Sequence, residues 1–272
     1  MTEIEQDPPT AAKQSLSHLN NSLREPSASK CAEDINKAYS SEPWWYDLRG
    51  FCILTFAYRS TLWHQMRFFG SHMGPYHLEV ACGTGTLLQL ILKWRLQKGL
   101  PSLQHVVGID YAENMLEGAK YRFRPRTNST PWLDDTKFEF LRVDAAHMPF
   151  PDAHFDSVNI ANSMHCLPDF EGSLKEMIRV LKPYNNHDHN VNNQTSTTVG
   201  TLTGNVLLVP TGIWPFKQIA EKINKWGIQK GILVAVYTKE FVLDKLREQG
   251  LEIVHFEVHG NCLDFVARKI SQ

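Results

Sequence analysis

The sequence predicts an α/β fold: a mostly parallel sheet with helices on both faces, closed by an antiparallel hairpin at its C-terminal end. Three observations carry this. A short apolar run, Tyr76 to Ala81, enters the turn Cys82-Gly83-Thr84-Gly85-Thr86 and leaves it as an apolar helical pattern from Leu87. Two later runs, Val106 to Ile109 and Phe138 to Val143, each end in a carboxylate, Asp110 and Asp144. The last two runs, Leu251 to Val258 and Cys262 to Arg268, flank His259-Gly260-Asn261, which reads as a hairpin.

Composition bounds the class. With 272 residues, 42% of them hydrophobic, the chain can bury one sizeable core and a small appendage. Lys and Arg number 28 against 29 Asp and Glu, so there is no general electrostatic footprint for nucleic acid. The five cysteines are scattered and form no C-x-x-C pair, as reduced thiols of a cytoplasmic protein would be. The first residues are polar and acidic (Glu3, Glu5, Asp7), which excludes an ordinary signal peptide. No apolar run is long enough to form a transmembrane segment.

In chain order, residues 1–31 are rich in Ser, Asn and Pro and read as a mobile polar tail. Residues 32–72 read as an N-terminal helical lid: Pro43-Trp44-Trp45 precede an apolar helical stretch from Phe51 to Phe69. Its apolar face suits a lid over a ligand, and also peripheral contact with a lipid-like acceptor or a membrane surface. Packing on the sheet edge is the plainer alternative. Residues 73–272 form the main domain. Its fourth strand is Phe155 to Ala161, with Asn162, Ser163, Met164 and His165 at the exit. Phe170 to Leu181 is an amphipathic helix stopped by Lys182-Pro183. Residues 184–203 read as a polar, disordered insertion, whose His187-Asp188-His189 is a solvated loop and no metal site. The fifth strand is Val206 to Pro210, and Trp214, Phe216, Ile219, Ile223 and Trp226 then form a substrate wall. Thr238 caps the last helix.

Strand, Gly-rich turn and helix together open a nucleotide-binding unit. The third glycine of a dinucleotide fingerprint is replaced by Leu88, and no Gly-Lys-Ser/Thr follows. Glu79 before the turn would repel a pyrophosphate and suit a ligand carrying an amine. Asp110 is placed to accept two ribose hydroxyls. It also suits an N-cap for the helix beginning near Glu113. Tyr111 and Met115 follow and can pack on an adenine. Asp144 can accept an exocyclic amine.

These residues resemble the class I S-adenosylmethionine-dependent methyltransferases, in particular the group of ubiquinone and menaquinone biosynthesis. The carrying motifs are Leu78–Thr86, Val107–Asp110, Asp144–Asp152, Phe155-Asp156 and Glu176–Pro183. Tyr46-Asp47-Leu48 resembles the N-terminal segment of the quinone methylases. The resemblance implies a Rossmann-like seven-stranded sheet. It implies that Glu79 and the backbone of Ala81, Cys82, Gly83, Thr84 and Gly85 hold the methionine part of S-adenosylmethionine. Tyr46, Asp110, Tyr111, Met115, Asp144, Ala145, Ala161 and Asn162 would complete the cofactor site. The chain departs from the quinone methylases after its fourth strand, at Asn162-Ser163-Met164-His165-Cys166, and where Tyr184 stands after Lys182-Pro183.

The expected reaction is in-line methyl transfer to a small, apolar or aromatic acceptor, with no metal, leaving S-adenosylhomocysteine. The main contribution is alignment. His165, at a strand exit, is the candidate general base, with His147 behind it. The alternative reading is a non-catalytic S-adenosylmethionine-binding partner subunit, which a blocked acceptor pocket would favour.

Overall fold

The computed structural model describes residues 47, 48, 50–52, 55, 60–124, 136–184, 199–212 and 214–270. The elements are α1 (Leu62–Gly70), β1 (Tyr76–Val80), α2 (Thr86–Gln97), β2 (His105–Asp110), α3 (Glu113–Phe123), β3 (Lys137–Arg142) and β4 (Ser157–Ile160). There follow α4 (Phe170–Val180), β5 (Thr201–Leu207), α5 (Phe216–Gln229), α6 (Lys239–Glu248), β6 (Leu251–His259) and β7 (Cys262–Lys269). Local chemistry sets several ends. Thr61, Asp169 and Thr238 cap α1, α4 and α6 by accepting from the backbone N–H groups of His64, Gly172 and Phe241. Gly85, at φ 72°, turns the chain into α2, and a side chain there would press on Phe123 and Ala119.

The seven strands form one sheet in the order β3-β2-β1-β4-β5-β7-β6. β1 to β5 pair in parallel, and β7 inserts antiparallel between β5 and β6. The α/β class, the seven strands and the terminal hairpin are as the sequence predicts.

Register separates two faces, because alternate residues of a strand point to opposite sides. One face carries Leu78, Val80, Val158, Ile160, Leu202, Val206, Leu263 and Phe265. It packs on Leu174 and Met177 of α4 and Val242 and Leu246 of α6 in one cluster. The other face is apolar toward β3, where Val106, Phe138 and Phe140 meet Ile91 and Leu92 of α2 and Phe69 of α1. Across β1, β4, β5 and β7 it changes character. His77 pairs in register with Ser157, Glu79 with Asn159, Asn159 with Thr203, and Asn205 with Asp264. All seven are buried.

The polar face explains one difference from the sequence reading. β5 begins at Thr201, not Val206, because Thr201 and Thr203 are buried ladder residues despite their hydroxyls. Tyr184 is also packed, bridging Ile270. The stretch 184–203 is therefore structured at both ends. Residues 185–198 lie outside the described residues, as do the tail and residues 32–46. Among the described residues, no helix is long and apolar enough to cross a membrane.

Candidate cofactor and acceptor site

The carboxyl ends of β1, β2 and β3 bring the expected acids to one edge of the sheet. After β1, Ala81 and Gly83 adopt left-handed backbone, φ 53° and 56°. Asp110 stabilises this turn directly. Its Oδ2 accepts from Gly83 N (2.8 Å) and its Oδ1 from Ala112 N (2.9 Å). Ala112, not Asp110, is the N-cap of α3. Burial pushes the Asp110 carboxyl above its ordinary pKa, and these N–H donors oppose that shift.

Glu79 is buried and held by a relay. The backbone N–H of Gly74 donates to Ser157 Oγ (2.7 Å), which lies 2.7 Å from His77 Nδ1. His77 Nε2 lies 3.2 Å from Glu79 Oε2. With Ser157 donating, the proton of the neutral ring sits on Nε2 and is given to Glu79. Burial lowers the pKa of His77, so the ring stays neutral.

The loop after β3 is fixed from α4. Glu176 accepts from Met148 N (2.7 Å), and Arg179 ties Asp152, Glu176 and the carbonyls of Met148 and Phe150 together. The charged residues of the Glu176–Pro183 motif thus hold the loop that carries Asp144 and Ala145.

Two clefts open along this edge. The smaller, about 70 Å³, is lined by Ala81, Gly83, Asp110, Tyr111, Met115, Asp144 and Ala145, among others. The larger, about 230 Å³, is lined by Glu79, Cys82, Thr84, Ala161, Asn162 and His165 and by the apolar Leu62, Leu207, Ile223, Trp226 and Leu233. They share Ala81, Gly83, Ser163 and Cys166. Among the described residues, no Lys or Arg lines either one. A lining with four carboxylates (Asp47, Glu79, Asp110 and Asp144) and no cationic side chain among the described residues suits a cationic, phosphate-free ligand and not a dinucleotide. The residues present therefore fit S-adenosylmethionine.

Two expected site residues fall elsewhere. Gly85 lines neither cleft and serves the turn. Tyr46 lies outside the described residues. Of the expected substrate wall, Ile223 and Trp226 line the larger cleft, while Trp214 and Ile219 are exposed and do not. The described parts of the N-terminal segment do reach it: Asp47, Gly50, Phe51, Leu62 and Gln65 are lining residues.

His165 lines the cleft but does not fit the base expected of it. It is 1% exposed, and burial pushes its pKa down to about 3. Its Nδ1 accepts from Leu207 N (3.3 Å), and its carbonyl accepts from Val234 N (2.9 Å). That makes it a brace between the exit of β4, β5 and the segment after α5. His147 is exposed on the surface and lines neither cleft.

Four residues that the sequence did not single out complete the site. Asp47 accepts from the hydroxyls of Thr84 (2.6 Å) and Thr86 (2.7 Å) and pairs with Arg122 (3.1 Å), tying the N-terminal segment to the Gly turn. Gln65 and Asn162 exchange two amide hydrogen bonds, 2.8 and 2.9 Å, and Asn205 donates to Asn162 Oδ1 (2.9 Å). Asn162 itself has φ 55°. Asn224, on α5, is 5% exposed and lines the larger cleft with neither amide atom hydrogen-bonded.

The comparisons agree with this geometry. The methyltransferase domain family matches residues 78–184. The demethylmenaquinone methyltransferase of Staphylococcus aureus (strain MRSA252) is 38% identical over 120 residues, 43% of this chain and 43% of that protein. The match thus spans less than half the length of that relative. A S-adenosylmethionine-dependent methyltransferase from Aquifex aeolicus superposes with a TM-score of 0.54 at 19% identity, over 85% of this chain and 100% of that one. A chain from the complex of the Haloferax volcanii Trm112 methyltransferase activator with a putative methyltransferase gives a TM-score of 0.56 at 17% identity, over 84% and 96%. At these identities the two structures show the fold alone. Fold, clefts and matched segment together make this chain similar to the class I S-adenosylmethionine-dependent methyltransferases, with residues 78–184 as the part that matches a methyltransferase domain.

Proposed function

We propose that this chain transfers a methyl group from S-adenosylmethionine, by in-line displacement, to a small acceptor with an apolar or aromatic body. The observation that carries this is the junction of the two clefts at Ala81, Gly83, Ser163 and Cys166: acids line one, and an apolar wall extends the other. When bound, the cofactor supplies an electrophilic methyl on a positively charged sulfur. The chain's own residues bind and align. Asp110 accepts the ribose hydroxyls, Asp144 and Ala145 hold the adenine edge, and Glu79 takes the amine. Such charge-assisted hydrogen bonds contribute about 1.5–3 kcal/mol each. The Gln65–Asn162–Asn205 amides hold α1 against the exit of β4 beside the larger cleft. Alignment supplies most of the acceleration, for which oriented reactants reach roughly 7–11 kcal/mol.

Asn224 is the unsatisfied polar group in the larger cleft, so the acceptor carries a carbonyl or hydroxyl that meets it. Leaving Asn224 unmatched costs about 1–3 kcal/mol, which makes it a selective contact. The open acceptor cleft does not meet the condition for a non-catalytic partner subunit. The name of the S. aureus relative puts demethylmenaquinone first among acceptors to assay.

The test is calorimetric titration with S-adenosylmethionine and S-adenosylhomocysteine, with NADH as control. Micromolar binding of both adenosyl ligands and none of NADH is expected. Asp110→Ala should weaken both by about tenfold or more, the loss of a single charge-assisted contact. Unchanged affinity would remove Asp110 from the site, and binding of NADH alone would overturn the reading.

A further inference from the structure

Away from both clefts, the N-terminal turn of α1 meets the β6–β7 hairpin at a cluster of imidazoles and carboxylates. His64, His259 and Asp264 each offer a ligand atom, and these atoms all lie within 4.8 Å of one another. His64 Nε2 is 2.7 Å from Asp264 Oδ2, and the two imidazole centroids are 4.1 Å apart at 58°. Asp264 is 2% exposed. None of the three lines either cleft.

A plain ion pair accounts for His64 and Asp264. It does not account for His259. The Nε2 of His259 is sealed from solvent and lies 2.9 Å from Glu257 Oε2 without the geometry of a hydrogen bond. Two imidazole–carboxylate pairs, His64–Asp264 and His259–Glu257, are thus brought side by side, their ring centroids 4.1 Å apart. A carboxylate buried as deeply as Asp264 also calls for compensating positive charge close by.

We propose that His64, His259 and Asp264, with Glu257 as the fourth donor, bind a divalent transition metal of the zinc type. Two imidazoles and two carboxylates are the donors that zinc takes in four-coordinate sites, whereas calcium and magnesium favour all-oxygen shells. Cys262 Sγ, 3.8 Å from Asp264 Oδ1, supports that carboxylate from behind. The ion is structural, because no reacting group of the clefts touches it. Its consequence is mechanical. His64 precedes Gln65, which donates to Asn162 Oδ1, so the metal ties α1 to the β6–β7 turn.

The full chain, stripped with a chelator, is titrated with Zn2+ by calorimetry and with Co2+ by visible absorption. One equivalent should bind at micromolar affinity or tighter, with the absorption of tetrahedral cobalt, and Zn2+ should raise the Tm. The side chain of His259 is 31% exposed, so His259→Ala is the variant that keeps the fold, checked by circular dichroism. It should weaken binding at least about tenfold, as loss of a ligand or of its support does, and abolish the rise in Tm. His64→Ala should do the same. The pair His187→Ala and His189→Ala should leave binding unchanged. No binding up to about 100 μM, or binding lost with His187 and His189 and kept in His259→Ala, would overturn the proposal; affinity arithmetic puts the first limit near 5.5 kcal/mol.

Discussion

The two faces of the sheet between β1 and β7 are buried to the same degree and built from opposite materials. One carries Leu78, Val80, Val158, Ile160, Leu202, Val206 and Phe265. The other carries His77, Glu79, Ser157, Asn159, Thr201, Thr203 and Asn205. Burial therefore does not distinguish scaffold from site in this domain. The apolar face gains free energy from every methylene removed from water, about 0.8 kcal/mol each. The polar face must satisfy each buried group or lose about 1–3 kcal/mol on it. It does so unevenly. His77, Ser157 and Glu79 form a closed relay, and Asn162, Asn205 and Gln65 close another, while both amide atoms of Asn159 and the hydroxyl of Thr203 have no hydrogen-bond partner. One face holds the fold together. The other delivers polar groups to the cleft at the carboxyl edge.

The largest effect should come from breaking the apolar face. Phe265→Ala empties a fully buried ring site and should cost about 3–5 kcal/mol in urea unfolding. The folded fraction should bind S-adenosylmethionine as before. A variant that kept its stability and lost the cofactor would show that this face also serves the site.

Next is the reverse experiment. Glu79→Gln keeps an oxygen for His77 and loses the charge that meets the cofactor's amine. Affinity for S-adenosylmethionine should fall by about 1.5–3 kcal/mol, ten- to a hundredfold, with Tm changed little. If unfolding shifts as much as binding, Glu79 belongs to the scaffold.

The pH dependence comes from buried histidines on the polar face and just beyond the end of β4. His77 and His165 both have lowered folded pKa values, that of His165 about 3. A depressed folded value means that the unfolded chain takes up protons first. The stability these rings confer is complete above the unfolded value of about 6.5 and is lost as pH falls toward the folded one. Urea midpoints should therefore decline from pH 7 to pH 4, and His165→Asn should flatten that decline. An activity profile with an inflection that His165→Asn removes would instead restore the ring as the base.

The smallest change should be Asn159→Val. It replaces an unpartnered amide in the middle of a strand by a β-branched apolar group and should stabilise the protein by about 1 kcal/mol. Weaker cofactor binding would show that Asn159 is part of the site.

The sequence by itself determined the parallel direction of the sheet's first strands and the acids at their ends, while their order in the sheet came from the tertiary structure. An apolar run closed by a glycine turn or a carboxylate is a local pattern, and the three acids reached one edge because parallel strands all end on the same side. The terminal hairpin was legible for the same reason, through His259-Gly260-Asn261. Only the tertiary structure decided the rest. The polar threonines hid the start of β5, because burial of a hydroxyl inside a ladder leaves no apolar signature. His165 stood correctly at a strand exit, yet its burial and the donor at Leu207 are set by β5, far along the chain. Gln65 and Asn224 have no motif of their own, and the motif Tyr46-Asp47-Leu48 did not show what Asp47 binds. Each acts on a residue brought near by loop closure: Asp47 on Thr84, Gln65 on Asn162, and Asn224 on whatever fills the cleft. Periodicity reports what a segment is, and only packing reports what it faces.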